Sequence, residues 1–246
     1  MARNNSPSTV IVETLSYIRT HRLESGDRLP SERLLAEKFG VGRGAVREAL
    51  MMLECMRVVE RRPNSGIYLR DLGADSSIEA TVLQSSLGLP LSREEVKNAM
   101  EVRRILEINT VRIACERRSE EDLQHIRSIL QESDARIKRK APIDEQDRDF
   151  HLAIVAATKN TVLVRVVNSF YFLSQSRRKI YFSNIQRCVR SNEQHKAIFE
   201  AIEAQSAERA VLLMQNHLGS VENDWQSALS DTDKPAEGPE ATASLA

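Results

Sequence analysis

Residues 31–69 hold the feature that most constrains the fold: two amphipathic helical patterns joined by a glycine and followed at once by two short β-type runs. Ser31 stands where a side-chain oxygen can cap the first helix, ERLLAEKF, and Gly40 offers the left-handed conformation that ends a helix. The turn between the β-type runs is rich in proline, asparagine, serine and glycine, which is typical of a hairpin. The helices are predicted over 32–39 and 43–56, the strands over 58–60 and 67–69, and the turn over 61–66.

The second helix of this segment has one apolar and one basic face. Val46, Leu50 and Leu53 follow the spacing of core residues, whereas Arg43 and Arg47 lie one turn apart on the opposite face, near the helix N-terminus. Helix, tight turn, helix and hairpin together make a winged helix-turn-helix. Its second helix enters the major groove, where arginine contacts guanine or phosphate. The pattern therefore predicts a DNA-binding head, against the alternative of a surface helix with solvated arginines.

Other basic residues of the same segment support this interpretation. Arg33, on the first helix of the pair, is placed to brace the DNA backbone. Arg61 and Arg62, expected at the hairpin tip, suit the neighbouring minor groove or its phosphates. A further helical pattern over 9–21 precedes the pair and completes the domain.

The charge of the chain is balanced overall but divided along its length. Lys+Arg and Asp+Glu are both 35. Residues 1–70 contain 12 basic and 8 acidic side chains, and residues 71–246 contain 23 and 27, so we expect two domains with different partners. No run reaches the ~18 apolar residues of a membrane span, so a cytoplasmic protein is expected. The three cysteines, Cys55, Cys115 and Cys188, are too far apart to indicate a disulfide framework or a zinc knuckle.

Everything after the hairpin reads as helical, so the predicted fold is mainly α, with an N-terminal winged helix-turn-helix and a C-terminal all-α bundle of about seven helices. The count includes one helix in the linker. The predicted domains are 9–70 for DNA binding, 71–91 as the linker, 92–229 as the bundle and 230–246 as a disordered tail. The bundle helices are predicted over 76–87, 92–117, 119–140, 142–158, 161–182, 184–204 and 206–229. Ser119 and Asp122 offer a capping box at the start of the third of these.

Three of the five histidines fall into one arrangement with an aspartate. Asp147 and His151 are four residues apart and share a helix face. His195 and His217 lie at similar distances on either side of the expected chain reversal near 205–206, so an antiparallel pair of helices brings them level. Three imidazoles and a carboxylate suit zinc first, and also nickel, cobalt, manganese or iron. The alternative is a hydrogen-bonded core network without a metal.

A basic residue interrupts the apolar stripe of the first helix of the predicted bundle. Arg103 falls where a core residue belongs, and a buried guanidinium requires an anionic partner. That partner is either internal, for example Glu107 or Asp147, or the carboxylate of a ligand that also occupies the open metal position. The stripe is expected to consist of Val96, Met100, Arg103, Leu106, Thr110 and Ile113.

These motifs resemble a known family. LPSERLLAEKFGVGRGAVREALMMLE followed by VVERRPNSGIYL is similar to the DNA-binding domain of GntR-type bacterial transcription regulators. EVRRILE, DRDFHLAIVAATKN, EQHKAIFEAI and MQNHL resemble the FCD-type ligand domain of the FadR subfamily. The resemblance covers roughly residues 10–225.

The resemblance implies a homodimeric repressor or activator on a palindromic operator, with a bundle that senses a small metabolite. Family metal ligands correspond to the Asp147, His151, His195 and His217 set, and family DNA contacts to Arg33, Arg43 and Arg47. Gly66 matches the wing glycine, and Arg103 lies near the effector pocket in the same comparison. Gly42 and Gly44 depart from the family, which usually carries Ser or Thr there, so the operator sequence does not transfer. Gly44 is nevertheless expected among the residues that contact DNA.

The function expected from the sequence is a regulator whose DNA affinity depends on a small carboxylate, an organic or sugar acid, bound at the metal beside Arg103. An acyl-CoA is disfavoured, because the fatty acyl-CoA member that names the subfamily lacks this metal set. Two alternatives remain: a regulator whose metal is structural or itself the signal, and a metalloenzyme. No nucleophile or general base is identifiable for the latter, so we expect no enzyme activity.

Overall fold

The structure is a computed structural model that describes residues 6–232, in which eleven helices and one two-stranded sheet occur. The chain divides into two compact units. The first comprises the residues up to Ala99 together with Asn168–Gln175, and the second comprises Met100–Val167 and the residues from Ser176 onward. The predicted fold class, mainly α with a hairpin wing after a helix-turn-helix, is confirmed.

The first unit contains the helix-turn-helix. Ser31 accepts a hydrogen bond from the Leu34 N–H at 3.3 Å, and Gly40 ends the helix with φ 65°, both as the sequence predicts. Val46 and Leu50 are completely buried, which confirms the apolar face of the next helix. The elements are α1 (Pro7–Thr20), α2 (Glu32–Phe39), α3 (Arg43–Cys55), β1 (Val59–Arg62), β2 (Gly66–Leu69) and α4 (Ile78–Ser86).

The wing differs from the prediction in its boundaries. The strands pair antiparallel from Val59 opposite Leu69 to Arg62 opposite Gly66, so the turn covers only 63–65 and not 61–66. Asn64 adopts φ 54°, in the left-handed region, which lets the chain reverse tightly and extends the strand pairing by two residues. Arg61 and Arg62 therefore lie in β1 and not in the turn.

Two further segments complete the first unit. Residues 26–29 run beside the wing: the Leu29 N–H donates to the Ile67 carbonyl at 2.8 Å, and the Leu69 N–H donates to the Asp27 carbonyl at 2.9 Å. The linker helix α4 packs against the core of the same unit through the side chains of Ala80, Leu83 and Leu87.

The helices after the linker form a bundle, most of which lies in the second unit; Arg93–Ala99 and Asn168–Gln175 belong to the first. Ser119 and Asp122 form the predicted capping box at the start of α6. The helix predicted over 161–182 is instead two helices, because Ser174 interrupts it and donates its hydroxyl to the Tyr171 carbonyl at 3.3 Å. With α4 this makes eight helices and not seven. The remaining helices are α5 (Arg93–Arg117), α6 (Glu120–Lys138), α7 (Asp144–Ala157), α8 (Thr161–Leu173), α9 (Gln175–Tyr181), α10 (Ile185–Glu203) and α11 (Ala207–Thr232).

The bundle core forms where four helices meet. Helix α6 packs on α7 and α10, and α10 packs on α11. Phe150, Ile154 and Ile198 are buried where these helices meet. Helix α11 continues to Thr232, so 230–232 are helical, and the rest of the predicted tail, 233–246, lies outside the described residues. No helix within 6–232 has the length and apolar character needed to cross a membrane.

Candidate DNA interface and metal centre

An open cleft of about 560 Å³ in the first unit brings most of the predicted DNA contacts together. It runs along the N-terminal end of α3 beside the wing. Arginines in this position, next to the free N–H groups of a helix start, attract phosphate. Gly44 does not line the cleft but is exposed in the first turn of α3. The predicted residues lining the cleft are Arg33, Arg43, Arg47, Arg61, Arg62 and Gly66.

Arg28 also lines this cleft, and sequence reasoning missed it because residues 22–30 read only as a connecting loop. Its backbone forms a β-bridge with Tyr68, so the wing carries it to the cleft. Gly66 makes room for it: Gly66 has φ 140°, and a Cβ there would lie 2.7 Å from the Arg28 Nε atom. Any other residue at 66 would strain the backbone and displace this guanidinium.

Acidic side chains hold two of the cleft arginines in place. Glu32 accepts hydrogen bonds from Arg61 at 2.8 Å and from Arg47 at 3.4 Å. Partial burial would raise the pKa of the Glu32 carboxyl, but these two arginines outweigh it and lower the pKa. Arg61 also pairs with Glu54 at 3.1 Å, and the hydrogen bond to Glu32 raises its own pKa. In this structure Arg61 is thus bound to the body of the domain and not extended from a wing tip.

The start of α3 has no side-chain cap. Gly42 is its N-cap residue and makes no side-chain hydrogen bond, whereas Ser31 caps α2. A Cβ atom at Gly42 or Gly44 would have no heavy atom within 4 Å, so packing does not require a glycine at either position. The N–H groups at this helix end are left without a side-chain acceptor from the cap residue, in the helix that carries Arg43 and Arg47.

The second unit brings all four predicted metal-ligand candidates together. One donor atom from each of Asp147, His151, His195 and His217 lies within 4.8 Å of the others, and all four residues are buried. The His217 Nε2 atom lies 3.2 Å from the Nε2 atoms of both His151 and His195, and Asp147 Oδ1 lies 3.5 Å from His195 Nε2 and 3.8 Å from His151 Nε2. Ligands about 2.0–2.1 Å from a common ion are separated by about 2.9–3.4 Å. The donor set fits a divalent metal ion.

The hydrogen bonds on the far sides of two rings determine which nitrogen is protonated. His151 Nδ1 donates to the Glu107 carboxylate, and His217 Nδ1 donates to Gln194 Oε1 at 2.8 Å. When both rings are in the neutral form, their Nε2 atoms carry lone pairs, and these lone pairs face each other across 3.2 Å. A cation between them removes this repulsion. Partners of this kind are typical of the groups that orient metal-bound histidines.

The remaining features of the cluster agree with neutral imidazole ligands. Burial and the neighbouring histidines lower the pKa of His195 and of His217 well below the usual value, so both rings are neutral at pH 7. The Phe150 ring stacks on His195 with centroids 4.1 Å apart and fixes its orientation. Burial raises the pKa of Asp147, against the opposing effect of His151, Arg103 and Arg178.

Arg103 faces inward, as predicted, and its partner is internal. Its Nε atom lies 2.5 Å from the Oε1 atom of Glu107, whose side chain is 1% exposed. Burial would raise the pKa of Glu107, but Arg103 and His151 outweigh it and hold the pKa well below its usual range. Glu107 thus joins Arg103 to the histidine cluster. The predicted apolar stripe is shifted, because the most buried residues of this face are Glu107, Thr110, Val111 and Ala114.

Two arginines of α9 add positive charge to the cluster, and sequence reasoning missed both. Arg178 is buried, with its Nε atom 3.9 Å from Asp147 Oδ2. Burial lowers the pKa of Arg177, and the charges of Arg103 and Arg178 act in the same direction. The helix that holds them was predicted as part of a longer one, so no inward face could be assigned to it. Gln194 was missed as well, since only the fold gives it His217 as a partner.

Comparison with known proteins identifies two domains in the chain. Residues 10–69 match the bacterial regulatory proteins of the gntR family, and residues 98–220 match the FCD domain. The chain is 36% identical over 212 residues to the HTH-type transcriptional regulator LutR of Bacillus subtilis, covering 84% of this chain and 94% of that protein. It is 32% identical to the Uxu operon transcriptional regulator of Escherichia coli, covering 80% and 77%, and 26% identical to the Escherichia coli galactonate operon transcriptional repressor, covering 85% and 93%.

Solved structures share the fold. The chain is similar to Lar, described as controlling the expression of the Listeria monocytogenes agr system, with a TM-score of 0.60, 20% identity and coverage of 87% of this chain and 93% of that one. It is also similar to Escherichia coli McbR/YncC, with a TM-score of 0.53, 16% identity and coverage of 91% and 99%. The chain is a transcription regulator and not an enzyme, because it has a winged helix-turn-helix and an FCD domain and its relatives are named as transcription regulators. The chain belongs to the GntR family of bacterial regulatory proteins, as a DNA-binding transcription regulator with an FCD domain.

Proposed function

We propose that the protein is a metabolite-responsive regulator of the bacterial cytoplasm that binds a palindromic operator as a homodimer. Two copies of the head are required because a two-fold operator presents two half-sites, each read by one helix in the major groove. Arg43 and Arg47, one turn apart at the start of α3, contact bases, and Arg33 contacts the backbone. Gly44 lets the backbone of the first turn approach DNA, since no side chain stands there.

The wing completes the proposed interface. Arg61 and Arg62 lie in β1 on the other side of the cleft, and Gly66 keeps the facing strand close to Arg28. These groups are proposed to bind the phosphates that flank the half-site. Arg61 would exchange its bonds to Glu32 and Glu54 for phosphate when DNA is bound.

The operator is first selected from a library of random-sequence duplexes, and affinities are then measured at one fixed salt concentration. Arg43→Ala and Arg47→Ala are each expected to weaken binding about 10–100-fold, from the loss of a bidentate arginine contact. Arg209→Ala serves as the control, because Arg209 is an exposed arginine of α11. Equal affinities for all three variants would contradict the assignment of α3 as the reading helix.

The second part of the proposal concerns the bundle, and one observation carries it: the tautomers of His151 and His217, fixed by Glu107 and Gln194, direct two lone pairs at one point. With Asp147 and His195 these side chains would hold a divalent ion, zinc first, or else nickel, manganese, cobalt or iron. When bound, such an ion supplies a Lewis-acidic position for a ligand oxygen.

The effector proposed for this site is a small carboxylate, an organic or sugar acid. Arg103, Arg177 and Arg178 bring three positive charges to the cluster, against the carboxylates of Glu107 and Asp147. A divalent cation increases that excess, and an anionic ligand offsets it. Arg103 is proposed to bind the ligand carboxylate. Two relatives carry names that mention a galactonate operon and an L-lactate dehydrogenase operon, and both galactonate and L-lactate are hydroxycarboxylates of this class.

The test combines elemental analysis with thermal unfolding in the presence of galactonate, L-lactate and related acids. About one metal ion per chain, and an acid that raises the melting temperature and releases operator DNA, is the expected result. His195→Ala should abolish both the metal and the acid response. Arg103→Ala should keep the metal and lose the response, whereas Arg209→Ala should keep both.

Two other results would replace parts of the proposal. Bound metal with no response to any acid, and DNA binding lost on chelation alone, would mean that the metal is structural or is itself the signal. A response to an acid that persists unchanged in Arg103→Ala would refute the role of Arg103. Absence of metal after reloading would leave the cluster as a buried hydrogen-bond network.

A further inference from the structure

Helix α5 has two opposite functional faces. Arg103, Glu107 and Thr110 lie on its inward face, where Arg103 and Glu107 connect to the histidine cluster. Glu101, Ile105, Ile108 and Arg112 follow one another at i, i+4, i+7 and i+11, a spacing that places them in one stripe. This stripe is on the side away from Arg103.

The outward stripe is apolar at its middle and charged at its ends. Ile105 is 55% exposed, and Ile108 is half-buried. A shallow cleft of about 370 Å³ beside them is lined by Glu101, Arg104, Ile105, Ile108 and Asn109. Isoleucines exposed at the centre of a stripe, with charges only at its ends, are typical of a helix that packs against another helix.

The order of residues along the stripe is complementary to itself. If a second copy of α5 runs antiparallel about a two-fold axis midway between 105 and 108, Ile105 meets the partner subunit's Ile108. Within one helix Glu101 and Arg112 are about 16 Å apart. In the antiparallel pair Glu101 therefore lies level with the partner subunit's Arg112, and both pairings occur twice. Arg104 is likewise level with the partner subunit's Asn109. No residue of the stripe meets a like charge.

We propose that this α5 stripe is the interface through which a second copy of the chain binds. The inference rests on the proposed homodimer and names the surface that forms it. Arg112 already pairs with Glu208 at 3.2 Å, but both side chains are exposed, at 46% and 87%, so the pair is weak and Arg112 remains available to a second carboxylate. Glu107 is buried on one face of α5 and the partner binds the opposite face, so α5 connects the effector site directly to the dimer interface.

Charge favours this face over another exposed apolar surface of the second unit, on α8. Val162 and Val166 on α8 are 63% and 40% exposed, so they form a comparable apolar patch. Helix α8 contains one arginine and no acidic residue, however, so an antiparallel copy would find no opposite charge there. The α8 patch therefore provides a control surface of matched exposure.

The experiment measures the dimer dissociation constant of the full chain by sedimentation. Ile105→Glu is expected to weaken the dimer at least about 100-fold, because the change occurs twice in a symmetric contact and removes apolar burial each time. Val162→Glu is expected to leave the constant within about threefold of the unchanged protein. Helix content measured by circular dichroism confirms that both variants are folded.

Charge reversal then tests the antiparallel register. Glu101→Arg and Arg112→Glu should each weaken the dimer about tenfold, and the double variant should restore it to within about threefold. Glu208→Ala, which removes the internal partner of Arg112, should not weaken it. Failure of the double variant to restore the dimer would overturn the register.

The outcomes separate this inference from the proposed function. If the unchanged protein is a monomer at micromolar concentration, the proposed homodimer itself fails. If it is a dimer that Ile105→Glu leaves intact, only the α5 interface fails. Dissociation by Val162→Glu with an intact Ile105→Glu dimer would move the interface to α8.

Discussion

Replacing Glu107 with glutamine tests the buried link between Arg103 and the histidine cluster. The substitution keeps the shape of the side chain and removes its charge. It removes the carboxylate that pairs with Arg103, whose side chain is 13% exposed, and it replaces one acceptor oxygen with an NH₂ group. Removing one partner of a buried ion pair costs about 3–5 kcal/mol, and the partial exposure of Arg103 favours the lower end. We expect a loss of about 3 kcal/mol in the free energy of unfolding.

Urea unfolding of the metal-stripped protein measures this loss. With a slope of about 2 kcal/mol per M, the midpoint of the bundle transition should fall by about 1.5 M. The control is Glu116→Gln, because Glu116 is an exposed glutamate on the same helix, and it should change the midpoint by less than about 0.3 M. Metal affinity of Glu107→Gln should also fall about 10–100-fold, since Glu107 fixes the tautomer of His151. Equal midpoints for the two variants would refute the buried ion pair as a source of stability.

Three further predictions follow from other parts of the structure. Gln194→Ala removes the acceptor of His217 Nδ1, so metal affinity in a competition titration should fall about tenfold or more, whereas Glu193→Ala on the exposed side should leave it unchanged. Gly44→Ala should raise the unfolding free energy of the head by about 1 kcal/mol, because alanine favours the helix more than glycine does and its Cβ meets no neighbour. A lower melting temperature in thermal unfolding would contradict the open space at that position. Burial would raise the pKa of Asp122, but Lys159 and Ser119 outweigh it and lower the pKa. The stabilisation by the Asp122 carboxylate is therefore complete above the ordinary carboxyl pKa and is lost as pH falls through the lowered pKa of the folded protein. Asp122→Asn should therefore lower the unfolding free energy by about 1 kcal/mol at pH 7 and by less at pH 3. A loss of unfolding free energy that grows toward low pH would contradict the lowered pKa of Asp122.

Local signals in the sequence were sufficient for the elements that depend on nearby residues. The caps at Ser31 and Ser119 and the left-handed end at Gly40 all occur as predicted. Each involves groups within four residues, so the chemistry of the side chain and of the adjacent backbone decides it. The convergence of His195 and His217 was also predictable, because an antiparallel hairpin of helices relates two positions by counting residues from the turn.

Distant pairings could not be obtained in this way. Arg28 reaches the DNA cleft because its strand segment pairs with the wing, about 40 residues further along the chain, and no periodicity indicates that pairing. The break at Ser174 was missed because a single serine does not by itself interrupt a helical pattern, and only the fold shows that α8 ends at Leu173 and α9 begins at Gln175. Arg177 and Arg178 could be assigned to the cluster only once that break was known.

The sequence by itself determined the kind of each element, the family of the chain and the residue types that gather at the two sites. Periodicity and capping are local, and they specify which side chains share a face. Only the tertiary structure decided which faces meet: that Glu107 lies between Arg103 and His151, that Gln194 holds His217, and that Glu32 binds Arg47 and Arg61. These contacts depend on the axial shift and rotation of packed helices, which many alternative sequences of the same pattern would set differently.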